Sequence, residues 1–175
     1  MLLKFLVDED LANYKETSMF IGFPHCSFKC NIDAGCEVCQ NYKLKDVPDP
    51  EISVDEICKR YTENPLTHAL VIGGLEPFDS PFELTTLIAT LRDKYHCGDT
   101  IVIYSGYTKE ELMGVQEIPY QEINGGKVAA TFKQIISFKN IIIKYGRYDQ
   151  RKESIFDPVL GVTLASSNQF AEHFI

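Results

Sequence analysis

Four cysteines fall within fourteen consecutive residues, Cys26-Ser-Phe-Lys-Cys30-Asn-Ile-Asp-Ala-Gly-Cys36-Glu-Val-Cys39, and no other feature of the chain restricts its possible folds as much. Soft thiolates this close together suit an iron–sulfur cluster or zinc, because both need several anionic sulfurs on one small site. Cys36-x-x-Cys39 is ordinary zinc spacing, so the spacing alone admits either metal. The other two cysteines are set apart. Cys58 lies on the apolar face of a helix with Val54, Ile57 and Tyr61 and is expected to be a core thiol, and Cys97 is expected to be a loop thiol far from the cluster of four.

The segments around the cysteines alternate between strand and helix, the pattern of an α/β domain. Ser18–Phe23 is a short apolar run that reads as a buried strand ending at the cysteine loop, residues 25–41. Ala69–Ile72, Ile101–Tyr104 and Ile141–Ile143 are further buried strands. Three helix starts stand between them: Ser53 with Glu56, Ser80 with Pro81 and Glu83, and Thr108 with Glu111, each with the spacing of a capping box. Val115 to Lys133 gives no clear assignment beyond a turn at Gly125-Gly126. Met1–Val7 is apolar but runs into Asp8-Glu-Asp10, so it reads as an opening strand and not as a signal peptide. The expected architecture is a single domain over residues 1–175, a partial β/α barrel with its loops gathered at the C-terminal ends of parallel strands.

Composition narrows the function. A net charge of -8 and no basic cluster argue against nucleic acid as a partner. No run approaches the roughly 20 apolar residues of a membrane helix. Six cysteines without a secretory signal suit a reducing compartment, here the cytoplasm, where clustered thiols bind metal more often than they pair.

Several separated motifs resemble the radical S-adenosylmethionine (SAM) superfamily, and within it the activating proteins of anaerobic ribonucleoside-triphosphate reductase. They are Ser18-Met-Phe-Ile-Gly-Phe-Pro-His25 entering the loop, Cys26-x-x-x-Cys30, Cys39-Gln40-Asn41, Gly73-Gly-Leu-Glu-Pro77, Ile101-Val-Ile-Tyr-Ser-Gly-Tyr-Thr108 with its short helix, and Ser166-Ser-Asn-Gln169. Asp10 to Asn13 is similar to acidic and Asn positions upstream of the loop. The match spans nearly the whole chain, and a zinc ribbon would leave the strand-ending motifs without a purpose.

The resemblance implies a [4Fe–4S] cluster held by Cys26, Cys30 and a third cysteine, with one iron left for the amino and carboxylate groups of SAM. An insertion makes either Cys36 or Cys39 the third ligand; Cys39 is favoured because Gln40-Asn41 follows it. By the same resemblance, Val38 and Gln40 lie near the adenine, while Gly73 and Gly74 bring backbone close to the methionine end. Glu76 accepts from its ammonium, although the inserted Leu75 leaves Glu76's place open. Tyr104 and Ser105 end a strand at the same mouth, and His25 is not expected as a fourth ligand, which would block SAM. No protein side chain is expected to be catalytic, because the cofactors carry the difficult chemistry. The implied activity is installation of a glycyl radical on the large subunit of anaerobic ribonucleotide reductase, with an electron donor such as flavodoxin. The alternatives are a radical SAM enzyme acting on another protein or peptide, and a zinc-stabilised binding module.

Overall fold

Runs that are apolar on both faces belong in a parallel sheet covered on both sides, and four such runs form the centre of this fold. The computed structural model describes residues 1–116 and 125–175. Its strands are β1 (Phe5–Asp10), β2 (Ser18–Phe23), β3 (Ala69–Gly74), β4 (Thr100–Tyr104), β5 (Ile141–Tyr145), β6 (Ile155–Asp157), β7 (Val162–Leu164) and β8 (Phe170–Phe174). Strands β2 to β5 are parallel neighbours in sequence order, with Ile21 opposite Ile72, Ile72 opposite Ile103 and Ile103 opposite Ile143. Antiparallel β1 and β8 close the two edges, giving the order β1-β2-β3-β4-β5-β8, and β6 and β7 form a separate hairpin.

The helices are α1 (Lys29–Ala34), α2 (Val54–Glu63), α3 (Pro81–Ala89), α4 (Lys109–Met113) and α5 (Gly125–Ile135). Met19, Ile21, Ile72, Ile103 and Ile143 on one sheet face pack with Ile57 of α2, Leu84 of α3, Leu112 of α4 and Phe132 of α5 in one core. The opposite face carries Val71, Val102 and Ile142 and is covered by Tyr14, Leu160 and Leu164, with no helix among the residues of that cluster. The chain is therefore a mixed α/β fold around a mostly parallel sheet, with α2 to α5 on one side. Among the described residues no helix is long and apolar enough to cross a membrane.

Two of the three helix starts are built as their sequences predict. Ser53 accepts from the Glu56 amide at 3.0 Å, and Thr108 and Glu111 form a reciprocal capping box before α4. The third differs: α3 begins at Pro81, but the Ser80 hydroxyl makes no cap bond. Ser80 also ends the tight turn Pro77–Asp79, and its backbone (φ -122°, ψ 62°) does not have the extended shape that aims a cap hydroxyl at the helix amides. The opening strand starts at Phe5 rather than Met1 and continues through Asp8-Glu9-Asp10, because an edge strand leaves room for acidic side chains, Asp8 pairing with Arg60 of α2. Gly125-Gly126 opens α5 instead of forming a turn; the rest of the unassigned stretch, residues 117–124, lies outside the described residues. Cys58 is buried in the helix-side core, and Cys97, in the loop before β4, packs against the same core.

Candidate metal centre

The cysteine loop crosses the C-terminal ends of β2 and β3, and three contacts fix its course. The Ser27 amide donates to Asp79 Oδ2 at 2.7 Å. The Phe28 amide donates to Cys26 Sγ at 3.2 Å. Phe28 takes a left-handed φ of 50° and packs edge-on against Tyr42 at 5.0 Å, starting α1, which carries Cys30 in its first turn. The insertion after Cys30 folds as the remainder of α1, stopped by Gly35 at φ 67°, and a return segment. Asn31 Oδ1 accepts from the amides of Val38 at 2.9 Å and Cys39 at 2.8 Å, which brings Cys39 back beside Cys30. The two thiols line the same cavity and influence each other's ionisation.

A cavity of about 360 Å³ opens at these strand ends, lined by Cys26, Cys30, Cys39, Gln40, Gly73, Gly74 and Glu76 and backed by Tyr104, Ser105 and Lys144. Cys36 is exposed and does not line it. Val38 faces a neighbouring cavity behind Cys30, with Arg147 and Asn168. His25 is exposed and lines a third cavity on the far side of Cys26, with Lys4 and Asp49. Of the residues expected at the site, the structure thus gathers all but Val38, and it separates Cys36 from the other thiols of the loop.

The thiols differ in acidity. The neighbouring Cys30 thiol lowers Cys39, while Cys39, with burial behind it, pushes Cys30 up. Burial, followed by the Glu76 carboxylate, pushes Cys26 up to about 12. Metal ligation requires the thiolate form of these groups. Among the described residues, no three His, Cys, Asp or Glu side chains form a group that could hold a single metal ion. The three thiols line one cavity wall, and this all-sulfur donor set suits a cluster whose ligands sit on different irons.

Gly74, which lines the cavity with Gly73, also has a packing role in the sheet. Gly74 has φ 80°, and a Cβ there would lie 2.6 Å from the Cα of Gly22 on β2, so the absent side chain makes room for a neighbouring strand. Leu75 continues the pairing, its amide donating to Phe23 O at 3.3 Å, and the Glu76 amide donates to His25 O at 2.8 Å. The inserted leucine is absorbed as one more step along the β2 edge, and Glu76 stays in the cavity wall. The Glu76 carboxylate accepts from Phe78 N at 3.2 Å, Ser105 Oγ at 3.0 Å and Gly106 N at 2.7 Å. Burial, reinforced by Asp79, raises it to about 8 against these three donors.

Lys144 was not anticipated. It is buried, donates to Gly146 O at 2.9 Å, and is lowered to about 8 by burial. The available signal was a lysine closing the run Ile141-Ile-Ile143, an ionisable residue in an otherwise buried strand. Tyr104 lines the cavity and donates to Asn13 O at 2.7 Å, and Asp10 Oδ2 accepts from the Asn13 amide at 2.9 Å, tying the turn after β1 to the site. Ser166-Ser-Asn-Gln169 clasps the loop after β5: Gln169 donates to Gly146 O at 3.1 Å, Asn168 to Arg147 O at 2.8 Å, and Ser166 Oγ accepts from Asp149 N at 3.2 Å. That loop carries Arg147, held by Glu111 at 2.6 Å and Asp33 at 3.0 Å next to Cys30.

Residues 18–168 match the family described as 4Fe-4S single cluster domain. Comparison with curated proteins and with solved structures gives no match.

Proposed function

Because this chain belongs to the 4Fe-4S single cluster domain family, we propose that Cys26, Cys30 and Cys39 hold its cluster and leave one iron open to SAM. The observation that carries this reading is the single cavity shared by three thiols, the Gly73-Gly74 strand end and the buried ionisable pair Glu76 and Lys144. A fourth cysteine on the loop points away from it. When bound and reduced, the cluster supplies one electron to the SAM sulfonium, which splits into methionine and a 5′-deoxyadenosyl radical that takes a hydrogen atom from a partner.

The protein's own residues bind and orient. Glu76 accepts from the methionine amino group, and Lys144, with two of its three donor positions given to Gly146 O and Ser105 O, offers the third to the carboxylate. Gly73 and Gly74 line the methionine end. Gln40, at the exposed rim, serves the adenine; Val38, proposed beside it, supports the loop from the neighbouring cavity. No side chain takes part in covalent chemistry. The open sheet, with β2 to β5 in sequence order and helices on one face, supports a partial β/α barrel.

The substrate in this reading is the large subunit of anaerobic ribonucleotide reductase, on which a glycyl radical is installed. The electron comes from a donor such as flavodoxin, in the cytoplasm. The motifs of the loop, of Tyr104 to Thr108 and of Ser166 to Gln169 favour this activase over a radical SAM enzyme for another protein or peptide. The test is anaerobic reconstitution, reduction with dithionite in the presence of SAM and chromatography for 5′-deoxyadenosine, followed by co-expression with a reductase and electron paramagnetic resonance for a glycyl radical. Production of 5′-deoxyadenosine is expected. Zinc without iron would contradict SAM chemistry, and an active cluster without a glycyl radical would contradict the reductase as partner.

A further inference from the structure

We infer that Asn31 is a positioning residue that selects Cys39 over Cys36 as the third thiolate, an inference that rests on the cluster reading above. Loop closure alone does not make this choice. Cys36 and Cys39 lie six and nine residues beyond Cys30, and closing the shorter loop is favoured by about twofold. Something in the fold must reverse that preference.

Asn31 does so from the position next to Cys30. Its Oδ1 takes the amides of both Val38 and Cys39, filling both lone pairs of one carbonyl oxygen and closing the return segment onto the first turn of α1. Gly35, in the left-handed region with open space where a Cβ would be, turns the chain at the far end of α1 and leaves Cys36 exposed. Downstream, the Tyr42 amide donates to Cys39 O at 3.2 Å, and Asn41 Nδ2 donates to Gly74 O at 2.7 Å, so Cys39 is held from both sides. Cys36 has no comparable anchor among the described residues. The eight residues between Cys30 and Cys39 therefore carry their own clip, which restores the third thiol to the cavity despite the longer path.

Losing the clip should hand the third position to a competition between Cys36 and Cys39. The test compares iron and sulfide content and the electron paramagnetic resonance spectrum of the reduced, reconstituted protein for wild type, Cys36→Ala, Asn31→Ala, Asn31→Asp and the double variant Asn31→Ala/Cys36→Ala. Cys36→Ala and Asn31→Asp, which keeps the acceptor, should match wild type. Asn31→Ala should show an altered spectrum, and the double variant should lose more than half of its iron. A double variant indistinguishable from Cys36→Ala, or a loss in Asn31→Ala that Asn31→Asp does not restore, would overturn the inference.

Amide hydrogen exchange in the metal-free protein separates this inference from the cluster reading. Protection of Val38 and Cys39 should drop at least tenfold in Asn31→Ala and survive in Asn31→Asp. Unchanged protection would refute the role of Asn31 whatever metal is bound, whereas a wild type without iron would refute only the cluster.

Discussion

Replacing Gly74 by alanine should destabilise the protein before any ligand is present. At φ 80° an alanine loses ~1–2 kcal/mol relative to the right-handed region. Its Cβ would stand 2.6 Å from Gly22 Cα, about 1 Å inside the optimal separation of two carbon atoms. The obstacle is backbone, in a strand pair that is hydrogen-bonded from Ser18 to Phe23, so it cannot swing aside as a side chain would. Overpacking of that kind costs ~1–3 kcal/mol, and the two effects together lower stability by ~2–5 kcal/mol. For a domain of this size the midpoint should fall by about 5–15 °C. Gly73→Ala is the internal control. Its Cβ would meet the outer edge of the Phe20 ring at 3.0 Å and no positive φ is involved, so the cost should stay below ~1 kcal/mol. The assay is thermal unfolding of the metal-free protein followed by circular dichroism. If both glycines served only the approach of a ligand, neither substitution would change the melt, and an unchanged Gly74→Ala melt would refute the packing argument.

Three further outcomes follow from the same contacts. Burial keeps the Glu76 carboxyl protonated up to about 8 in the folded protein, while an unfolded glutamate has released its proton above ~4.3, so this group's contribution to stability falls as pH rises through that window. The stability of wild type relative to Glu76→Gln should decline from pH 5 to 8 in denaturant titrations, and a rising difference would contradict the assignment. Lys4 is buried and ties down the segment that follows the cysteine loop through Val47 O at 2.7 Å and Asp49 at 2.9 Å; Lys4→Met should cost ~1–3 kcal/mol and expose residues 45–49 to limited proteolysis, and an uncleaved variant would argue against the tether. Thr108→Ala removes half of the capping box before α4 and should cost ~1 kcal/mol in chemical denaturation, whereas a neutral result would place the stability of that turn elsewhere.

The four parallel strands were legible because apolar residues, Met, Phe and Ile in β2 and mainly Ile, Val and Leu in the others, fill both faces, which leaves no alternation to mistake for an exposed sheet. Strand β8 was not, since Phe170-Ala-Glu-His-Phe174 is a half-exposed edge with charged residues among its apolar ones. In the site, the three cavity thiols, Gln40, Gly73, Gly74 and Glu76 could be read from local motifs. The preference for Cys39 through Gln40-Asn41 has a physical counterpart in the bond from Asn41 to Gly74 O. Three things escaped because they depend on how separate segments meet: the orientation of Val38 and the clip at Asn31, both set by the fold of an aperiodic insertion, and Lys144, whose meaning depends on the cavity that β4 and β5 enclose.

The central claim is that three particular thiols hold a four-iron cluster, and anaerobic iron, zinc and sulfide analysis of wild type and of the four single Cys→Ala variants of the loop tests it most directly. Wild type and Cys36→Ala should carry iron and sulfide in equal amounts, near four of each per chain for a full 4Fe-4S cluster. Cys26→Ala, Cys30→Ala and Cys39→Ala should assemble none. Zinc in place of iron, or a cluster that survives Cys39→Ala and is lost in Cys36→Ala, would contradict the account.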